Sequence, residues 1–357
     1  MQGIFLEKLH RFYQGGVPFG FSAEKVCFSR VYSSFSRSGF DPGLRDRRTS
    51  PAFALSSVSS VGYPGPESGG ILSQDPLSGE PPSDSGRGDQ HSAGGALPRR
   101  KPAEEGVRLI VLMYHDLNPD SSAWGPYVLS PSQLEKDLQY LQANGFSTVT
   151  WAQLTDHVYG DGPLPEKPVL ITFDDGNEST YTYAWPLLKQ YGMTGVINVL
   201  GSVSQYYSEN SDRLEPGFAY LTWEEIRRMK ESGVFEFGNH SYDLHSGKKG
   251  HQGVKKIPGE SREEYQYRLF QDLKANQDLL AQACGEAPIA FAYPFGYQEE
   301  DALEVLEALE FRILMGSYEK PNQITKDPSC LFPLRRFNRP AGINTADFFA
   351  RLEKVRP

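Results

Sequence analysis

Two adjacent aspartates, Asp174 and Asp175, follow a strand-like apolar run and precede Gly176. Alternate strand residues point to opposite faces, so both carboxylates can approach one centre only if the chain turns there, and Gly176 permits that turn. Neighbouring carboxylates repel unless a cation lies between them or one is protonated. The pattern is typical of a metal-dependent hydrolase in which one Asp binds the ion and the other accepts a proton. A solvated Asp-Asp-Gly turn is the alternative interpretation.

Two histidines favour the metal interpretation. His240 ends a strand-like run at 235–239, and His245 follows five residues later. On a helix this spacing would turn the two rings about 140° apart, so we expect His240 at a strand end and His245 in the next loop. Imidazole suits zinc, nickel, cobalt or iron, and one Asp with two His leaves coordination positions open for water. Ordinary surface hydrogen bonding is the alternative for a His pair.

A third apolar run, at 289–293, stops at Pro294, Phe295 and Gly296. Hydrolysis of an amide needs donors aimed at the developing oxyanion, and backbone N–H groups in a turn after a strand can supply them. Pro294 has no N–H, so the N–H of Phe295 is the candidate donor. A buried strand that simply ends at Pro and Gly would have the same sequence.

Together these motifs resemble the polysaccharide deacetylases, carbohydrate esterase family 4. The resemblance rests on TFDDG at 172–176, HSxxxH at 240–245 and FAYPFG at 291–296. LMYH at 112–115 is similar to the opening of the poly-N-acetylglucosamine deacetylase branch, which also spaces its histidines by five. Phe295 stands where the family commonly has Tyr. The similar part of the chain runs from about residue 106 to 340.

The resemblance implies a role for each candidate residue. Asp174 would be the general base, and the Phe295 amide would be part of the oxyanion hole. The metal ligands would be Asp175, His240 and His245. Zinc is the first expectation, with cobalt, nickel or iron as alternatives.

The general acid is not evident from the motifs. Many members of the family carry a late Leu-x-Leu-x-His motif, and this chain has no histidine after His251. His115 ends the first strand-like run and should reach the same rim as Asp175, so it is the first candidate for protonating the leaving amine. A structural histidine bonded to a neighbouring Asp is the alternative.

Strand-like and helix-like segments alternate from residue 107 onward. We predict strands at 107–114, 147–150, 169–173, 195–200, 235–239, 289–293, 311–316 and 331–337. We predict helices at 131–143, 151–159, 180–191, 222–232, 261–283, 299–310 and 345–355. Repeated β–α units imply parallel strands covered by helices, and a (β/α) barrel brings its strand ends to one rim. The resemblance implies a distorted α/β barrel of about seven strands, with an open doubly wound sheet as the alternative.

Residues 1–105 differ in composition from the rest of the chain. From about residue 50 to 101 they are rich in Ser, Gly and Pro, which cannot bury enough apolar surface to offset the ordering entropy. We predict a disordered segment at 1–105 and a catalytic domain at 106–357. No signal peptide or span of about 20 apolar residues is visible, although the resemblance implies action outside the cell or at its surface.

The expected partner is a glycan that contains N-acetylated hexosamine. The formal net charge is −9 for the whole chain and +1 for residues 1–105, so the −10 carried by 106–357 argues against nucleic acid. We therefore expect metal-dependent removal of N-acetyl groups. O-deacetylation of a plant polysaccharide such as xylan and non-catalytic glycan binding are the alternatives, and the sequence does not predict an oligomeric state.

Overall fold

A computed structural model describes residues 106–210, 219–248 and 250–356. The predicted catalytic domain lies almost wholly within these ranges, whereas the predicted disordered segment 1–105 lies outside them. Within the described ranges, no helix has both the length and the apolar character needed to cross a membrane.

The fold is built on a mainly parallel sheet. The strands are β1 (Val107–Tyr114), β2 (Asp116–Leu117), β3 (Val128–Leu129), β4 (Ser147–Thr148), β5 (Pro168–Phe173), β6 (Gly195–Val199), β7 (Phe235–Asn239), β8 (Ala290–Ala292), β9 (Ile313–Met315), β10 (Asn322–Ile324) and β11 (Phe337–Asn338). The longest hydrogen-bonded path has seven strands in the order β10-β1-β5-β6-β7-β8-β9. Its strands from β1 to β9 pair in parallel, and β10 joins the edge of β1 antiparallel.

The segment before and through β11 links β9, at one end of this path, to β1, next to the other end. Leu334 forms a parallel bridge to Met315 of β9, and Phe337 of β11 then pairs in parallel with Leu112 of β1. The sheet therefore curls into an incomplete barrel. The predicted strand at 331–337 is wrong over most of its length, because Pro328–Leu331 forms a 3-10 helix and regular pairing starts only at Phe337.

Helices cover the outside of the sheet. They are α1 (Pro131–Ala143), α2 (Trp151–Tyr159), α3 (Trp185–Gln190), α4 (Gly201–Glu209), α5 (Trp223–Glu231), α6 (Arg262–Cys284), α7 (Leu303–Ala308) and α8 (Thr345–Lys354). The predicted helix at 180–191 is divided into a π-helical turn, Thr180–Ala184, and α3. Pro186 lies at this division, and its missing N–H removes one helical hydrogen bond. The sequence did not predict α4.

Alternation along β1 separates two apolar layers. Ile110, Leu112 and Tyr114 pack with residues of the covering helices. Leu109 and Val111 pack with inward-facing residues of other strands and with residues of α2. Successive strand residues point to opposite faces, so one strand contributes to both layers. These layers pack on both faces of the sheet, and the strand ends position the candidate site.

Candidate metal and catalytic site

The predicted site residues follow the carboxyl ends of neighbouring parallel strands. His115 follows β1, Asp174 and Asp175 follow β5, and His240 follows β7. Phe295 lies in a 3-10 turn, Pro294–Gly296, shortly after β8. In a barrel of parallel strands these ends share one rim, which explains how residues distant in sequence come together.

The turn after β5 separates the two aspartates. Asp175 has a φ of 73° and Gly176 a φ of 75°. The left-handed turn therefore begins at Asp175, one residue before the glycine. A non-glycine residue in this region costs about 1–3 kcal/mol and persists only where surrounding contacts fix it. The turn directs the Asp175 side chain towards His240 and His245, while Asp174 keeps a different set of partners.

Asp175, His240 and His245 form the only cluster of potential metal ligands found among the described residues, with their ligand atoms all within 4.8 Å of one another. The Oδ1 atom of Asp175 lies 3.5 Å from Nε2 of His240 and 3.7 Å from Nε2 of His245. This Oδ1 atom is buried and has no hydrogen-bond partner among the described residues. A buried carboxylate oxygen without a partner is costly, and a cation held between the three atoms would remove that cost.

The orientation of His240 suits metal binding. Its Nδ1 lies 2.8 Å from the carbonyl oxygen of Ala292, so Nδ1 donates a hydrogen there and Nε2 keeps its lone pair. Burial lowers the pKa of His240 to about 4, although the carboxylates of Asp174 and Asp175 oppose that effect. The imidazole is therefore neutral at neutral pH, which is the form that binds a metal.

Asp174 is held by two donors that share one of its oxygens. Asn198 of β6 and Arg336 each donate to Oδ1 at 2.7 Å. Among the described residues no donor reaches Oδ2, so one oxygen remains available to a water or substrate. Gly238 makes room for this arrangement, because a Cβ there would lie 2.3 Å from Oδ1 of Asn198.

Arg336 is a site residue that the sequence analysis missed. It is 1% exposed, and it also donates from Nε to the carbonyl oxygen of Gly316 at 2.7 Å. Burial alone would raise the pKa of Asp174, but the charge and hydrogen bond of Arg336, together with the nearby His240 and His115, hold that pKa well below its usual range. The sequence contained a signal for this role. An arginine in the apolar run 331–337 must pair with a buried carboxylate or point to solvent.

His115 and Phe295 also lie at the rim. The His115 ring contacts Tyr127 edge-on, with 4.7 Å between the ring centroids. Its Nδ1 is buried, and no residue that the structure describes bonds to it. Burial lowers the pKa of His115, and the carboxylates of Asp174 and Asp175 are close enough to oppose this. The Phe295 ring is 43% exposed and stacks on His245 at 4.1 Å, and Phe295 has a φ of 59°.

The motifs and their geometry agree with a known family, because a family model for polysaccharide deacetylases matches residues 161–314. Residues 161–314 are a polysaccharide deacetylase domain. The match confirms the family resemblance. The matched residues include five of the predicted site residues: Asp174, Asp175, His240, His245 and Phe295. His115 and Arg336 lie outside the matched residues.

Relatives of the deacetylase domain are similar over a larger part of the chain. The poly-β-1,6-N-acetyl-D-glucosamine N-deacetylase of Escherichia coli K12 is 25% identical over 219 residues, covering 57% of this chain and 33% of that protein. The alignment therefore spans about a third of the length of that relative.

Two solved structures share the fold of the deacetylase domain. IcaB from Ammonifex degensii is 29% identical with a TM-score of 0.54, covering 66% of this chain and 94% of that one. The de-N-acetylase from Aggregatibacter actinomycetemcomitans is 25% identical with a TM-score of 0.59, covering 69% and 100%. These similarities confirm the predicted barrel fold.

Proposed function

We propose that the protein removes N-acetyl groups from hexosamine residues of a glycan with the help of a divalent cation. The observation that carries the proposal is the convergence of Asp175, His240 and His245 beside the carboxylate of Asp174. The name of the Escherichia coli relative, a poly-β-1,6-N-acetyl-D-glucosamine N-deacetylase, supports the substrate class. A glycan at the cell surface or outside the cell is the corresponding location, as the family resemblance implies.

The ligand atoms fit a transition-metal ion. Two imidazoles and one carboxylate favour zinc, cobalt, nickel or iron over magnesium or calcium, and zinc is the first choice. Asp175, His240 and His245 would hold the ion, and the unpartnered Oδ1 of Asp175 supports this assignment. When bound, such an ion supplies Lewis acidity to the acetyl carbonyl and to the attacking water.

Asp174 would take the proton of the attacking water. Oδ1 is occupied by Asn198 and Arg336, so Oδ2 is the oxygen that accepts the proton. The positive charge of Arg336 keeps the carboxyl deprotonated at neutral pH and therefore ready to act as a base. As the proton moves to Oδ2, the water oxygen bonds to the carbonyl carbon.

The N–H of Phe295 would donate to the oxyanion that forms on the carbonyl oxygen. Collapse of the tetrahedral intermediate then breaks the carbon–nitrogen bond, and the nitrogen must gain a proton before it leaves as a free amine. His115 is the proposed donor. Because burial lowers the pKa of His115, its charged form is a minor fraction at neutral pH, which limits the rate gain that it can supply.

Acetate release from oligomers of β-1,6-linked N-acetylglucosamine tests the proposal. We expect release by the untreated protein, loss of release after chelation, and recovery when zinc is added. Release from acetylated xylan, with none from the amide oligomers, would instead identify an O-acetyl esterase. Binding of the oligomers without any acetate release, in protein loaded with metal, would identify a non-catalytic glycan-binding protein.

A further inference from the structure

The short segment between the two histidines, residues 241–244, determines where His245 lies relative to His240. Its first residue, Ser241, has a φ of 77°, a left-handed backbone that costs a non-glycine residue about 1–3 kcal/mol. The segment therefore keeps this path only if other elements hold it. Two of its carbonyl groups and two of its N–H groups have partners on neighbouring helices.

The start of helix α4 holds the carbonyl groups of the segment. The N–H of Gly201 donates to the carbonyl oxygen of Ser241 at 3.1 Å, and the N–H of Ser202 donates to that of Tyr242 at 2.8 Å. These N–H groups belong to the first turn of a helix and have no partner within it. The segment thus supplies the hydrogen-bond acceptors for the first two N–H groups of α4.

Asp272 of helix α6 holds the N–H groups on the other side. Its Oδ1 accepts from the N–H of Tyr242 at 2.8 Å, and its Oδ2 accepts from the N–H of Asp243 at 2.9 Å. One carboxylate therefore accepts hydrogen bonds from two consecutive backbone N–H groups, one at each oxygen. Burial raises the pKa of Asp272 to about 6, while these two hydrogen bonds lower it, so the carboxylate form predominates at neutral pH.

A second contact from α6 fixes the start of the segment. The side-chain amide of Asn276 donates to the carbonyl oxygen of Ser241 and to Oδ1 of Asn239, both at 2.9 Å. Asn239 itself donates to the carbonyl oxygen of Leu273 at 2.9 Å. Asn239 and Asn276 are fully buried, so α6 contacts the chain on both sides of His240.

From this geometry we infer that Asp272 is a positioning residue that sets the distance of His245 from Asp175 and His240. The inference rests on the proposed function, since it assigns Asp272 a role in holding the proposed metal ligands. Without its carboxylate two backbone N–H groups would lose their acceptor, and the strained turn at Ser241 could relax. Partners that orient metal ligands are typically worth about 10–100-fold in metal affinity.

Three variants of the full chain test this role: Asp272→Ala, Asp272→Asn and Asp278→Ala. Asp278 lies on the same helix, is exposed and pairs with Lys274, so its removal controls for lost acidic charge on α6. Zinc affinity is measured by competition with a chromophoric chelator at neutral pH. The visible absorption of the cobalt-loaded protein reports ligand geometry, and thermal melting of the metal-free protein reports stability.

We expect Asp272→Ala to weaken zinc binding by about tenfold or more and to alter the cobalt spectrum. Asp272→Asn keeps one acceptor oxygen and should lie between Asp272→Ala and the unsubstituted protein. Asp278→Ala should bind zinc as the unsubstituted protein does.

Unchanged zinc affinity and an unchanged cobalt spectrum in Asp272→Ala would overturn the inference, even if the melting temperature fell. If Asp272→Ala does not fold, Asp272→Asn decides, and full affinity with an unchanged spectrum there overturns it equally. Failure of the unsubstituted protein to bind zinc or cobalt would overturn the proposed function itself, together with this inference.

Discussion

The described part of the chain contains two buried aspartate–arginine pairs whose arginines are close in sequence. The two aspartates differ in how many hydrogen-bond partners they have. Asp137 of α1 pairs with Arg339, with Nε 2.7 Å from Oδ2. Asp174 pairs with Arg336, with Nη1 2.7 Å from Oδ1. All four side chains are nearly inaccessible to solvent.

Both oxygens of Asp137 are fully used. Arg339 reaches each of them, Tyr114 adds a donor to Oδ2, and Thr345 and Gln133 add donors to Oδ1. Within the described ranges, Asp174 has donors only on Oδ1. A buried carboxylate that is fully hydrogen-bonded stabilises the fold and has no capacity left for chemistry, whereas a half-bonded one keeps an oxygen for a reacting proton.

The largest effect should follow from removing the charge of Asp174. Asp174→Asn keeps the shape and an acceptor for Asn198, but an amide cannot accept a proton as a carboxylate does. We expect acetate release per folded molecule to fall by about 10²–10⁴-fold, the usual range for losing a general base. Near-normal turnover would show that Asp174, like Asp137, stabilises the fold and does not act as the base.

Removing Asp137 should instead reduce stability. Asp137→Ala leaves the buried Arg339 without a counter-charge, and breaking such a pair typically costs about 3–5 kcal/mol. Urea unfolding at neutral pH measures the loss, with Lys136→Ala, an exposed neighbour on α1, as the control. Acetate release per folded molecule should be retained, and a large loss of turnover at full stability would contradict the distinction between the two pairs.

Arg336→Met should change the pH dependence of catalysis. The charge of Arg336 opposes the effect of burial and lowers the pKa of Asp174, so without it burial raises that pKa. Because the base must be deprotonated, the acid limb of kcat/KM should move to higher pH by about 1–3 units. Arg335→Met removes an exposed side chain next in sequence, and it should leave the limb in place. Equal pH profiles of kcat/KM for both variants would show that Arg336 does not set the pKa of Asp174.

The same pair contributes to acid stability. A carboxyl whose pKa is depressed in the folded state stabilises the protein above its unfolded pKa and loses that contribution as pH falls through the folded value. Arg336→Met should remove this contribution, so unfolding free energy measured from neutral to acidic pH should decline less steeply. An unchanged slope would contradict the coupling.

His115→Ala should have the smallest effect, and it separates proton donation from base catalysis at Asp174. An amide nitrogen needs a proton to leave, whereas an activated aryl acetate needs little help. We expect turnover of N-acetylglucosamine oligomers to fall about tenfold more than aryl acetate turnover, with metal content unchanged. Equal losses on both substrates, or loss of metal, would assign His115 a structural role.

Much of the barrel could be predicted from the sequence. The bounds of β1 and β7 agree with the prediction. β1 is a near-continuous apolar run, which is typical of a buried parallel strand. Because the ends of parallel barrel strands share one rim, the predicted strands implied that Asp175, His240 and His245 would meet. Their ligand atoms do lie together.

Partnerships across long sequence separations could not be predicted in the same way. Arg336 lies 162 residues from Asp174, and no local pattern links them. Helix α4 begins at Gly201 without a side-chain cap, and its first N–H groups find acceptors only in the folded segment at 241–242. Such features depend on tertiary contacts that a pattern along the chain does not contain.

The central claim is that adjacent aspartates have different roles, with Asp175 binding the metal and Asp174 acting as the base. Metal content of Asp174→Asn and Asp175→Asn, purified in parallel and reloaded with zinc, tests it most directly. We predict that Asp174→Asn retains the zinc of the unsubstituted protein, that Asp175→Asn loses it, and that both release little acetate. Zinc retained in Asp175→Asn and lost in Asp174→Asn would contradict the account.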